Sequence, residues 1–165
     1  MVFSGSLQQR KRGDDSEKVF ESICFSKNIF IKKSSTYENT RKHIDFYIRL
    51  KQNTKSVDVK AIKRYKGQFQ DKYYYIELIN DWGNNGWIYS KSMDLVAFEC
   101  FDCFRIYKRK KILDFINKNP DKFEITTRTL FNSTKTSKCI MVDRNVIESL
   151  LYYKLDKTNI EHVYC

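Results

Sequence analysis

The chain has 165 residues, with 31 Lys and Arg against 20 Asp and Glu, a net charge of +11 and a pI near 9.4. That length suits a single domain and excludes a small disulfide scaffold, while the charge calls for a polyanionic partner. No apolar run approaches the ~18 residues of a membrane span, and MVFSGSLQQRKRG lacks the apolar core of a signal peptide, so the sequence reads as cytoplasmic with no membrane partner.

Residues 1–12, which include Arg10, Lys11 and Arg12, show no apolar period and read as a flexible basic arm ahead of one domain over 13–165. Asp14, Asp15, Ser16 and Glu17 then precede an apolar stripe of Val19, Phe20, Ile23 and Cys24, which predicts a helix over about 15–27. Residues 28–32 suit a short strand and 33–42 a polar loop. His43–Leu50 and Ser56–Ile62 flank the turn residues 51–55 and predict a β-hairpin. After a basic connector over 63–72, Tyr73–Ile79 reads as a strand, Asn80–Gly86 as a strong turn, and Trp87–Tyr89, Leu95–Phe98 and Phe104–Tyr107 as further strands. A helix over 109–117 stopped by Pro120, and Cys139–Val142 feeding a helix over 143–154, complete an α/β domain.

Abundant Lys, Asn, Ile and Tyr beside one proline and five glycines suggest an AT-rich coding genome, such as that of a phage or a low-GC bacterium. Five irregularly spaced cysteines fit free thiols in a reducing compartment. Cys100 and Cys103 have zinc-knuckle spacing, but no second pair completes a site, and they read as an incidental pair near a strand turn. No phosphate-binding glycine loop, dinucleotide fingerprint, zincin helix or nucleophile elbow occurs in the sequence.

Chemistry therefore falls to the acidic residues of the hairpin. Period two puts Asp58 and Lys60 on one strand face and Val57 and Val59 on the other; Asp45, between Ile44 and Phe46, can share the face of Asp58 across the hairpin. Facing carboxylates repel unless protons, Lys60 or a metal offset them. Mg²⁺ suits such a pair, because it takes hard oxygen ligands from one or two carboxylates and leaves positions for water and phosphate. Lys60 stands where it could hold or deprotonate a water, or add positive charge to a transition state. The plainer alternative is a chance Asp-x-Lys and a solvated Asp45.

Asp45, twelve intervening residues and then Asp58-Val59-Lys60, behind a helix with acidic residues, resemble the PD-(D/E)xK nuclease superfamily. The likeness covers about residues 13–107 and extends to Holliday-junction-resolvase-like and phage-type members. Gly13-Asp-Asp-Ser-Glu17 matches the spacing of the helix-borne glutamate in the resolvase-like branch, while Ile44 stands where the motif has proline. The resemblance implies a restriction-endonuclease-like core, a central mixed β-sheet flanked by helices. It also implies a Mg²⁺-dependent deoxyribonuclease, with Mn²⁺ as substitute, acting as an endonuclease on junction or other branched DNA. Glu17, Asp45 and Asp58 would ligate the metal, with Glu21 as fallback for Glu17, and Lys60 would support catalysis. A homodimer, as in junction resolvases, goes with that reading.

Smaller roles fall to Glu77, as a support from the next strand; His43, as a hydrogen-bonding neighbour; and Gln70, near a phosphate. Trp82 reads as partly exposed and Trp87 as core. Lys63, Arg64, Lys66, Lys108, Arg109, Lys110 and Lys111, together with Arg105, are expected as solvated cations, some of them contacting DNA phosphates. The alternatives are a non-catalytic nucleic-acid-binding or virion-associated protein that keeps a nuclease-like fold, and an enzyme directed at RNA.

Overall fold

A computed structural model of the chain describes residues 4–65, 67–129 and 136–157. Helix α1 (Ser4–Ser26) buries the stripe Val19, Phe20, Ile23 and Cys24, but it extends back to Ser4, through most of the segment expected to be a loose arm. Strand β1 (Ile31–Lys33) follows, and then helix α2 (Thr36–Lys42), in place of the expected polar loop. No residue of α2 is buried, so apolar periodicity could not reveal it. Its signal is instead a capping box, in which Ser35 caps the Glu38 amide and the Glu38 carboxylate returns to the Ser35 amide.

The expected hairpin is present as β2 (Phe46–Leu50) and β3 (Asn53–Lys60), closed by the two residues Lys51 and Gln52. The connector holds a second, small hairpin, β4 (Lys63–Tyr65) and β5 (Gln68–Gln70), and β6 (Tyr73–Ile79) follows. Trp87–Tyr89 forms a 3-10 turn rather than a strand. Strands β7 (Leu95–Glu99) and β8 (Cys103–Lys108) and helix α3 (Arg109–Lys118) match expectation, and β9 (Ile125–Thr129) and β10 (Thr136–Asp143) come next. The final helix is replaced by a 3-10 stretch, Arg144–Leu150, and strand β11 (Leu151–Asp156). Val146, Ile147, Leu150 and Leu151 imitate a helical stripe, but pairing of β11 with β8 overrides it.

The main sheet has the order β1-β2-β3-β7-β8-β11 and is mixed, since β3 and β7 run parallel while the other neighbours are antiparallel. A smaller sheet has the order β6-β10-β9. One face of the main sheet packs Val57, Val59, Phe46 and Ile48 against Phe20 and Ile23 of α1. The other packs Val96, Phe98 and Tyr107 against Tyr74 and Ile76 of β6, Trp87, and Ile112 of α3. The chain is thus an α/β protein with a central mixed sheet flanked by helices. Because both faces are covered, every residue of β7 is buried, which explains its unbroken apolar run Leu95-Val-Ala-Phe98. No helix among the described residues is long and apolar enough to cross a membrane.

The Asn80–Gly86 turn is locked by the Asn80 side chain, which accepts hydrogen bonds from the amides of Trp82 and Asn84. Gly83, at φ +78°, supplies the left-handed residue. Gly86 is required for a different reason: a Cβ there would collide with the Glu77 carbonyl oxygen.

Candidate functional site

Phe46 pairs with Val57, so Asp45 lies opposite Asp58, and period two turns both away from the α1 face that buries Phe46, Val57 and Val59. Asp45 is 6% exposed and Asp58 4%. Asp45 Oδ2 accepts a 2.6 Å hydrogen bond from the Val59 amide, and its Oδ1 accepts one of 2.6 Å from Asn39 Nδ2 of α2. Lys60 Nζ lies 2.7 Å from Asp58 Oδ2 and 5.2 Å from the centroid of the Trp87 ring, a cation–π contact against a buried aromatic. Glu17 reaches toward this group from α1, half-buried, with Lys33 Nζ 3.9 Å away.

These carboxyls hold their protons well above the usual range. Burial, and then the charge of Asp58, push Asp45 up to about 7. Burial, and then the charge of Asp45, push Glu17 up to about 7. Burial raises Asp58 as well, although Lys60 counteracts it. Burial opposes the Lys60 ammonium, yet Asp58 and Asp45 outweigh it, so Lys60 stays protonated and charged.

The donor set fits a hard divalent cation. Asp58 Oδ2 is buried against the Lys60 ammonium at 2.7 Å, Asp45 offers hard oxygens beside it, and the crowded carboxylates gain from added positive charge. Asp45 and Asp58 are brought together by the hairpin, with Glu17 near enough for its charge to act on both. Among the described residues, however, no three His, Cys, Asp or Glu side chains converge into a ready-made metal cage. Glu21 lies with Glu17 and Asp14 of α1, and with Lys33 and Phe46 of the sheet, along a cleft.

The remaining candidates sort by their contacts. The charge of half-buried Glu77 acts on Lys60 and His43 from β6. His43 caps α2 in the left-handed conformation at φ 55°, so strand alternation does not extend to it; burial, and then the Lys60 charge, lower its pKa. Gln70 is committed to the backbone, donating to the Tyr73 carbonyl at 3.0 Å and accepting from the Tyr73 amide at 2.7 Å. Trp87 is core, and Trp82 is exposed.

Lys63, Arg64, Lys108 and Lys111 face solvent, and Lys110 does so while paired to Asp114 at 2.9 Å. Lys66 lies outside the described residues. Arg109 departs from expectation. It is buried, and its guanidinium donates to the carbonyls of Met93 at 3.0 Å and Ile88 at 2.8 Å, so it staples the start of α3 to the 3-10 turn rather than meeting solvent. Arg105 is likewise committed, in an ion pair with Glu148. Cys100 and Cys103 flank the β7–β8 turn, with both side chains buried.

Two contributors escaped the sequence. Asn39 belongs to the unexpected helix, and its role shows only once α2 is folded against Asp45; the Ser35-x-x-Glu38 capping box was the available signal. Arg12, expected in a loose arm, lines a cleft of about 180 Å³ together with Lys60 and Lys63. Comparisons with protein-family models, curated proteins and solved structures found no match to the chain.

Proposed function

We propose that the protein is a Mg²⁺-dependent nuclease that hydrolyses phosphodiester bonds of DNA in preference to RNA, with the restriction-endonuclease-like arrangement implied by its likeness to PD-(D/E)xK nucleases. One observation carries the reading: Asp45 and Asp58 face each other across a hairpin, with Lys60 paired to Asp58 and itself lining a cleft together with Arg12 and Lys63. An acidic centre with cationic walls suits a polyanion held over a cation. The helix-hairpin order and the parallel β3–β7 crossover support the same reading.

A divalent cation bound there supplies an acidified water and charge for the phosphate under attack. Asp45, fixed from two sides by the Val59 amide and Asn39, and Asp58 would hold it, with Glu17 completing the set from α1. Lys60 keeps its proton, which favours its role as a positive charge beside the developing phosphate charge over that of a base. Arg12, Lys63 and Arg64 would track the flanking backbone.

A second reading, a non-catalytic nucleic-acid-binding protein with a nuclease-like fold, is favoured by the Asp58–Lys60 ion pair, which is complete without a ligand. Cleavage of labelled duplex, branched and single-stranded DNA in Mg²⁺, Mn²⁺ or EDTA decides between them. The proposal expects cleavage that needs metal and is abolished by Asp45→Ala and by Asp58→Ala, with the fold retained. Binding without cleavage in either metal selects the second reading.

A further inference from the structure

The small hairpin β4–β5 begins three residues after Lys60, so Lys63 lies within roughly 11 Å of it along the chain and Arg64 within roughly 14 Å. Register puts Arg64 directly opposite Phe69, on one face. The Phe69 ring is 41% exposed and carries two guanidiniums, Arg64 at 4.5 Å and Arg12 of α1 at 5.7 Å from its centroid. Tyr65, on the other face, is 38% exposed and packs at a tilt on Tyr73, 5.7 Å between centroids. Beyond the cleft at Lys60, a second one of about 250 Å³ runs between Arg12, Lys11, Asp15 and Arg64. A largely cationic path thus leads from Lys60 to an exposed aromatic hairpin.

An exposed ring held between guanidiniums, as Phe69 is, has no use as core, and a duplex presents its bases edge-on inside grooves, away from such a surface. An unpaired strand offers both what the ring stacks on and what the cations neutralise. We infer that the β4–β5 hairpin, with Arg12, is a binding site for a single-stranded polynucleotide, its bases stacking on Phe69 and its phosphates on Arg64 and Arg12. This rests on the nuclease reading for its placement beside the reacting phosphate, and it narrows the substrate to DNA with an unpaired flank.

The test is binding in EDTA, where nothing is cleaved, of a fluorescent twelve-residue oligothymidylate and of a blunt duplex of equal length. Phe69→Ala is expected to weaken oligothymidylate binding at least tenfold and duplex binding less than twofold. Phe69→Trp should restore it, and Phe69→Leu, which keeps the apolar volume without the π face, should not. Unchanged melting temperatures exclude a folding defect as the cause. Oligothymidylate binding that survives Phe69→Ala, equal losses for both probes, or rescue by leucine would overturn the site. If the losses appear as expected but no DNA is cut in Mg²⁺ or Mn²⁺, the hairpin stands and the nuclease reading falls.

Discussion

Asn39 Nδ2 donates to Asp45 Oδ1 across 2.6 Å, tying a solvent-facing helix to a buried carboxylate. The helix is held in turn by its capping box and by the Tyr47 hydroxyl, which donates to Glu38 Oε1 at 2.6 Å. Partners that orient a metal-holding carboxylate typically contribute 10- to 100-fold to affinity or activity. Asn39→Ala should therefore lower metal-dependent cleavage by about that factor and weaken the apparent Mg²⁺ affinity. Asn39→Asp should be worse, because it adds a further carboxylate directly beside Asp45. Titration of cleavage against Mg²⁺ checks both; a loss independent of Mg²⁺ concentration would assign Asn39 to the fold alone.

Stability should fall as pH rises. Asp45 binds its proton up to about pH 7 in the folded state, whereas an unfolded aspartate releases it near 4. Between those values the folded state holds the extra proton, so stability present at low pH is lost as pH climbs through 7. Glu17, pushed up to about 7, acts in the same direction. In EDTA, urea denaturation should show a loss on the order of 2–4 kcal/mol from pH 5 to pH 8. Asp45→Asn should flatten the profile, and Mg²⁺ should restore stability at pH 8. A rise in stability over the same interval would contradict the burial argument.

Lys60 and the exposed lysines should separate chemistry from binding. Lys60→Ala is expected to depress turnover by orders of magnitude with little change in DNA affinity. Replacing Lys108 and Lys111 together should leave turnover at saturating DNA near wild type and shrink the slope of log K against log salt by up to ~0.9 for each phosphate no longer neutralised. If Lys60→Ala weakens binding and spares turnover, Lys60 is a phosphate anchor and the non-catalytic reading gains.

Arg109 predicts a structural outcome from a residue that resembles a DNA contact. Arg109→Ala removes two hydrogen bonds to buried carbonyls and leaves space beneath α3. Each carbonyl left without a partner costs about 1–3 kcal/mol, so chemical denaturation should show a loss of about 2–6 kcal/mol. The salt dependence of DNA binding should not change, in contrast to Lys111→Ala.

The hairpin that places Asp45, Asp58 and Lys60 was legible because strand alternation is local and fixes which side chains share a face, although its turn is Lys51 and Gln52 rather than the expected 51–55. The stripe of α1 was legible for the same reason. Arg109 was misjudged because its partners, Ile88 and Met93, come from a distant segment, and a basic run gives no sign that one member points inward. The end of the chain misled in another way: a stripe with helical spacing became a 3-10 stretch and a strand because β8 offered an unfilled edge. Nothing in the local spacing of 151–156 records that edge.

The parallel pairing of β3 with β7 carries a kinetic consequence. Asp45 and Asp58 meet by closing a two-residue turn, an event of low loop-closure entropy, while β7 can join β3 only after the whole segment 61–94 has been spanned. Before β7 and Trp87 arrive, the hairpin carboxylates remain hydrated and repel weakly. Wherever their burial follows the folding barrier, the mutual repulsion acts mainly by hastening escape from the native state and scarcely by slowing its formation, a split that separate folding and unfolding rates of Asp45→Asn would read. A cation that relieves it would lengthen the lifetime of the folded molecule more than it shortens the time needed to fold.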